Sequence, residues 1–380
     1  MNIAEITTYK EGGVYTHVID LVKRLKANTI IITGNTKKSG YQKENGRYFF
    51  HIPCIFSPWT IYFINSLGSY KKVKALLKKH KIELVHFHNP LFTFSNGLIM
   101  KPELPSIMTA HYVLDLKDSR LISTIYKIVI RIVTCYISKK VDKIICVNND
   151  YIAIFTSWGI DREKLVFIPN GIDLEKFSPG KSKIKEKYKH NKLIVFFGRL
   201  HYQKNVDLLI RSFELIKDKS AKLIIIGDGP DTNRLKKLSA DNKNIILTGR
   251  VSDDELLDYL RASYMMVLPS RGETASLTMM EAMACELPVI ASDVGNASEM
   301  LTDGRGILLK EYTEREIAEK CNYLLKHPKV SKKMGKKALN FVRKYYSLEN
   351  TCKKTETLYR TVIKKRKETI HNGESNHLNK

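Results

Sequence analysis

The stretch PNGIDLEKFSPGKSKIKEKYKHNKLIVFFGRL, residues 169–200, joins two kinds of sequence. Pro169, Gly171, Pro179 and Gly180, followed by a charged run, have the composition of a junction between domains, because such residues interrupt regular elements and bury little. The apolar run at 193–197 then opens a new series. Before the junction, runs of about five residues rich in Ile and Val occur at 2–6, 29–33, 84–88, 106–109, 143–147 and 164–168. After it they occur at 193–197, 223–226, 245–247, 265–268 and 289–291. Longer amphipathic stretches separate the runs, which is the alternation of βα units around a parallel sheet. The expected fold class is α/β, with two Rossmann-like parallel-sheet domains facing across a central cleft that is lined by the loops after the strand carboxyl ends. No repeat of solenoid length is present.

The chain has 380 residues, with 64 Lys and Arg against 39 Asp and Glu, a formal charge of +25. Such a field draws a protein toward polyanions, whether nucleic acid, an anionic bilayer or phosphorylated small molecules; a Lys-rich genome explains the excess equally well. RNA-binding signatures and zinc patterns are absent, and aromatics are not interleaved with the basic residues, which disfavours a nucleic-acid-binding protein. Six scattered cysteines with no CxxC pair fit reduced thiols in the cytoplasm and argue against structural zinc. The first residues lack a signal-peptide pattern, and no run of about 18 apolar residues appears, so neither export nor membrane spanning is expected.

Four motifs are candidates for chemistry. In TYKEGGVYTHVIDLVKRL, a Gly-Gly pair that includes Gly13 follows the first strand and opens a helix, letting a phosphate or sugar approach backbone N–H groups. In VFFGRLHYQKNVDLLIRSF, Arg199 and Lys204 stand near a helix start. Cations there oppose the macrodipole, so a bound diphosphate would relieve them; solvated surface cations are the plain alternative. IIIGDGPDTNRL lacks the third glycine of a dinucleotide fingerprint and reads as a tight βα turn. In RGETASLTMMEAMACELPVI, residues 271–290, Ser276 is placed to cap a helix, and Thr274, Ala275, Ser276 and Leu277 present consecutive N–H groups. Glu273 and Glu281 flank these, and a carboxylate accepts two hydrogen bonds from a vicinal diol.

Glu273, seven residues and Glu281, followed by AMACELPVIASDVGNASEML, resemble the retaining nucleotide-sugar glycosyltransferases of the GT-B type, often called family 4 or group 1. VFIPNGIDLEKFSP, FFGRLHYQKNVDLLI and EGGVYTHV extend the resemblance over residues 1 to 363. It implies that Arg199 and Lys204 grip the donor diphosphate, that Glu281 takes the ribose hydroxyls and that Glu273 meets the donor sugar. Gly13 matches the glycine near the diphosphate, and His111 the histidine bordering the reacting sugar. From the residues alone His86, His88 and His111 stand equal, and His88 is the reserve. The implied domains are 1–178 for the acceptor, 190–346 for the nucleotide-sugar, a helix at 347–363 crossing back to the first, and a disordered tail at 364–380.

The resemblance also implies front-face displacement at the anomeric carbon. No DxD is present, so no metal and no cofactor beyond the nucleotide diphosphate sugar, expected to be a UDP-sugar, is called for. Two positions depart from the family pattern. Thr274-Ala275-Ser276 stand where a bulky residue and glycine are common, which re-tunes the sugar pocket, and Glu286 stands where glycine favours φ > 0. For a glycan or lipid-linked acceptor, Trp59, Tyr62 and Phe63 beside a Lys-rich helix read as an anchor on an anionic membrane, at the cytoplasmic face. SRLISTIYKIVIRIVTCYISKK reads as a buried crossover helix. The expected function is hexosyl transfer in surface polysaccharide or glycolipid synthesis; an epimerase or hydrolase on the same architecture is the enzyme alternative.

Overall fold

The structure, a computed structural model, describes residues 1–7, 12–35, 40–44, 47–53, 55–56, 62–63, 67–89, 103–111 and 121–377. These form two compact units. One gathers the described residues up to His111, those from Leu121 to Gly171, and the helix Leu348–His377; the other is Ile172–Ser347.

Strands of the first unit are β1 (Asn2–Thr7), β2 (Asn28–Asn35), β3 (Gly40–Glu44), β4 (Arg47–Pro53), the ribbon β5 (Ile55–Phe56) with β6 (Tyr62–Phe63), and β7 (Leu84–His88), β8 (Ser106–Ala110), β9 (Lys143–Cys146) and β10 (Leu165–Phe167). Eight of them make one sheet in the order β10-β9-β8-β7-β1-β2-β4-β3. All pairs are parallel except β3 with β4. The chain leaves β1 to one side for β2 and returns on the other side with β7, which makes the carboxyl end of β1 a topological switch point, the usual place for a ligand in open α/β sheets.

The second unit repeats this logic with β11 (Lys192–Phe197), β12 (Ala221–Ile226), β13 (Ile245–Gly249), β14 (Met265–Leu268), β15 (Val289–Ser292) and β16 (Ile307–Leu309). The order is β13-β12-β11-β14-β15-β16, with every pair parallel. Its switch point lies between β11 and β14. Val195, Phe196, Leu223, Ile224, Met265, Met266 and Val289 are fully buried in one cluster. At roughly 1.5–3 kcal/mol for each large apolar side chain removed from water, these runs are what hold the strands at the centre.

The division falls at Gly171–Ile172, within the junction stretch but ahead of the boundary expected between 178 and 190. The Ile172 N–H donates to the Tyr346 carbonyl at 2.8 Å, and Phe177 is buried in the second unit's core. The helix Leu348–His377 belongs to the first unit. Its Leu348, Cys352, Tyr359, Val362 and Ile363, which recur on one face of the helix, pack with Ile3, Leu21, Leu25 and Leu84. It runs well past 363, where a disordered tail was expected. KKRKET contains no helix breaker, and Lys364 pairs with Glu368 one turn on at 3.8 Å.

The helix Leu121–Ser138 also corrects an expectation. Ile130, Thr134, Ile137 and Ser138 are buried, but Ile125, Ile128, Ile132 and Tyr136 are 52%, 53%, 63% and 46% exposed. A helix lying on one sheet buries a single face, and this one is apolar on both. No helix among the described residues is long and apolar enough to cross a membrane. Trp59, and the side chains of Tyr62 and Phe63, lie outside the described residues.

Candidate active site

In the second unit, the residues singled out from the sequence sit on the loops after β11 and β14, neighbours in the sheet. Lys204 ends a short 3-10 turn, Tyr202–Lys204, ahead of the helix Val206–Phe213. Its Nζ lies 2.6 Å from Glu273 Oε1, with both side chains largely buried. The Ser270 hydroxyl donates to the same oxygen at 2.7 Å, while Glu273 Oε2 has no partner among the described residues. A carboxylate braced through one oxygen keeps the other for a ligand hydroxyl, and the ammonium has donors to spare for a phosphate. Arg199 is exposed, two residues past the end of β11. The histidine at 201 is held below its ordinary value by burial, then by the charge of Arg199, with Lys204 adding to it. The strand edge therefore carries a positive field suited to an anion.

The loops are fastened by residues that sequence reasoning passed over. The Arg271 guanidinium donates to Asn205 Oδ1 at 2.7 Å and lies 4.6 Å from the Tyr202 ring centre. The Arg271 N–H meets the Gln203 carbonyl at 2.7 Å, and the Gln203 amide meets the Gly272 carbonyl at 2.7 Å. Asn205 takes the left-handed conformation, φ 54°, which Asn tolerates better than most residues. Ser276 caps the helix Leu277–Ala284 as expected, accepting from the Met279 N–H, while its own N–H reaches Asn296 Oδ1 at 3.3 Å. Glu281, half-buried, lies in that helix, and Thr274 and Ala275 are half-buried before it.

Two glycines of IIIGDGPDTNRL are steric, in keeping with a tight turn. A Cβ on Gly227 would stand 2.0 Å from the Gly198 carbonyl oxygen, and one on Gly229 would stand 2.3 Å from that of Leu200. Glu286 adopts φ 63°, the conformation expected past the helix end.

The first unit's candidates lie at the carboxyl ends of β1, β7 and β8. Gly13 is the exposed first residue of the helix Gly13–Arg24, behind Gly12 at φ 88°, and the helix start leaves N–H groups without intrahelical partners. His111 follows β8 and is buried, its N–H bonded to Asn89 Oδ1 at 2.6 Å. His111 Nε2 lies 3.3 Å from His88 Nδ1, and His88 Nε2 lies 2.9 Å from Glu5 Oε2. Glu5, fully buried, also meets His86 Nδ1 at 3.0 Å and accepts from the Tyr359 hydroxyl at 2.7 Å. His17 adds its ring 5.2 Å from that of His111, with Nδ1 unpartnered among the described residues.

Electrostatics fixes the direction of this network. Burial alone would raise the Glu5 carboxyl, but His86 and His88 hold it well below the usual range. Burial pushes His88 down to about 4 and His17 to about 3, aided by neighbouring imidazoles, and His111 well below its ordinary value for the same reasons. An ionised Glu5 can only accept, so His88 Nε2 donates to it. Neutral His88 then accepts at Nδ1, and His111 donates from Nε2 and is left with Nδ1 as its acceptor nitrogen. His88, the reserve candidate, thus orients His111. The nitrogens of His17, His88 and His111 lie within 4.8 Å of one another, as do the ligand atoms of Glu5, His86 and His88, so either trio could hold a metal ion. Glu5 was legible only as an acidic residue inside an apolar strand.

Models of two families match the chain: Glycosyltransferase Family 4 over residues 11–176 and Glycosyl transferases group 1 over residues 178–341. It is similar to an uncharacterized glycosyltransferase of Methanocaldococcus jannaschii, 30% identical over 343 residues, covering 88% of this chain and 90% of that protein. It is also similar to the UDP-Gal:alpha-D-GlcNAc-diphosphoundecaprenol alpha-1,3-galactosyltransferase of Escherichia coli, 28% identical over 346 residues, covering 85% and 87%. Among solved structures, sucrose-phosphate synthase from Thermosynechococcus elongatus shares the GT-B fold, with a TM-score of 0.81, 19% identity, and coverage of 95% of this chain and 99% of that one.

Proposed function

Because the chain belongs to the glycosyltransferases of group 1 and family 4, we propose that it is a retaining, metal-independent hexosyltransferase. Its donor is a UDP-sugar, and its acceptor a glycan or lipid-linked sugar in surface polysaccharide or glycolipid synthesis, at the cytoplasmic face of a membrane. The observation that carries this reading is the Lys204–Glu273 pair, with Ser270 on one carboxylate oxygen and the other open, beside exposed Arg199. The E. coli relative, whose name gives a UDP-sugar donor and a diphospholipid acceptor, supports the choice of both substrates.

In this reading Glu281 holds the ribose, Glu273 Oε2 takes a sugar hydroxyl, and the N–H groups of residues 274–277 and Gly13 face phosphate oxygens. The bond from the anomeric carbon to the diphosphate breaks as the acceptor oxygen attacks from the same side, and the acceptor's proton passes to the departing phosphate. Arg199 and Lys204 neutralise the charge that develops there, in place of a metal. His111, kept neutral and aimed by His88, borders the sugar without adding positive charge to the oxocarbenium-like carbon.

The test is labelled-hexose transfer from UDP-sugars to a diphospholipid-linked acceptor. Lys204→Ala should lower kcat by about 10²–10³, roughly 3 kcal/mol, with product of unchanged anomeric configuration and no effect of chelator on the parent enzyme. Turnover by Lys204→Ala within a factor of about two of the parent would remove the proposal. Donor consumption without acceptor would favour the hydrolase or epimerase alternative.

A further inference from the structure

We propose that the outward face of the helix Leu121–Ser138 is a docking surface for an anionic lipid bilayer, a step that rests on, and deepens, the lipid-linked acceptor reading. Ile125, Ile128, Ile132 and Tyr136 recur at intervals of three and four residues, which aligns them in one stripe along the helix. All four are about half exposed or more. The opposite side is fixed in the unit by Ile130, Thr134 and Ile137, and by Cys135, whose thiol meets the Trp158 carbonyl at 3.5 Å. The helix therefore cannot turn its apolar stripe inward.

Charge selects the occupant. Lys127, Arg131 and Lys139 are exposed beside the stripe, and Lys140 places Nζ 5.9 Å from the Tyr136 ring centre. There is no acidic residue from Leu121 to Val141, and the next acid along the chain, Asp142, is committed to the Ser106 N–H at 2.7 Å. An apolar stripe whose own helix contributes cations and no acid, on a helix that does not span, is the pattern of an element lying in the headgroup layer of an anionic membrane. A second copy of the chain would bring the same cations against each other, within a molecule of formal charge +25. Ten peptide steps separate His111 from Leu121, so the start of the docking helix lies within about 36 Å of that histidine.

The experiment is co-sedimentation of the full chain with vesicles of phosphatidylcholine alone or with about 30 mol % phosphatidylglycerol. The parent should bind the anionic vesicles and be released by salt. The double variants Ile128→Ser/Ile132→Ser and Lys127→Glu/Arg131→Glu should each bind roughly tenfold more weakly or worse, with unchanged melting temperatures. Transfer to vesicle-borne acceptor should fall in both variants, and transfer to a short-chain soluble acceptor should not. A parent that ignores anionic vesicles, variants that bind as it does, or a dimer in light scattering that the isoleucine variant abolishes would each overturn the proposal. If binding behaves as stated but the parent transfers sugar to neither acceptor, the docking surface stands and the proposed activity falls.

Discussion

Acidification should unfold the first unit well before the second, because its buried histidines cannot take up protons without leaving their places. His17 and His88 fall to about 3 and about 4 in the folded chain, against an ordinary 6.5. The unfolded chain binds more protons at every pH between those values, so stability is lost as pH falls below about 6.5. From pH 7 to pH 5 an unfolded histidine gains most of a proton, worth about 2 kcal/mol. The two together then cost about 4 kcal/mol, with His111 acting in the same direction. That is a large share of the roughly 5–15 kcal/mol that holds a domain together. Below about 4.5 Glu5 adds to the loss, since its depressed carboxyl is stabilising only while ionised. The tryptophans, Trp59 and Trp158, both precede Gly171, so urea unfolding followed by tryptophan fluorescence reports on the first unit alone. His17→Gln, which cannot titrate, should reduce the pH 7 to 5 loss by about 2 kcal/mol. A loss below about 1 kcal/mol in the parent, or one that His17→Gln leaves intact, would refute the reasoning.

Glu5→Ala leaves His86, His88 and Tyr359 without their shared acceptor, and should cost about 3–5 kcal/mol at pH 7 by the same fluorescence assay. A cost under about 1 kcal/mol would mean that water replaces the carboxylate. In the second unit, Gly227→Ala drives a Cβ to 2.0 Å from backbone, whereas Gly249→Ala, at φ 75°, meets nothing within 4 Å. Circular dichroism melts should show the first far more destabilising than the second, for which only about 1–2 kcal/mol of backbone strain is expected; equal shifts would count against the packing of β12 on β11.

The sequence is most legible where a run is buried on both faces. The runs at 84–88 and 265–268 match β7 and β14 residue for residue, because nothing but a central strand suits LVHFH or MMVL in that setting. Elements at and next to the sheet edges escaped: β3 and its neighbour β4 mix Lys, Glu, Arg and Gln with aromatics, and β16 is only three residues long. At the site, a helix cap such as Ser276 is a local device and reads directly. The Glu5 network is not local. Its members come from β1, β7, the residue after β8, the helix Gly13–Arg24 and Tyr359, and only the tertiary fold brings them together. Arg271 was hidden for the same reason, since its partners Asn205 and Tyr202 are set by the pairing of β11 with β14.

The returning helix reverses the order in which the protein can be finished during synthesis. The hydroxyl that completes the shell of Glu5 leaves the ribosome 354 positions after it. The described residues of the intervening unit, Ile172–Ser347, are continuous in the chain, with their two ends bridged side by side. Translation therefore delivers that whole stretch while the unit begun earlier still waits, with a buried carboxylate short of one donor, for the returning helix to emerge.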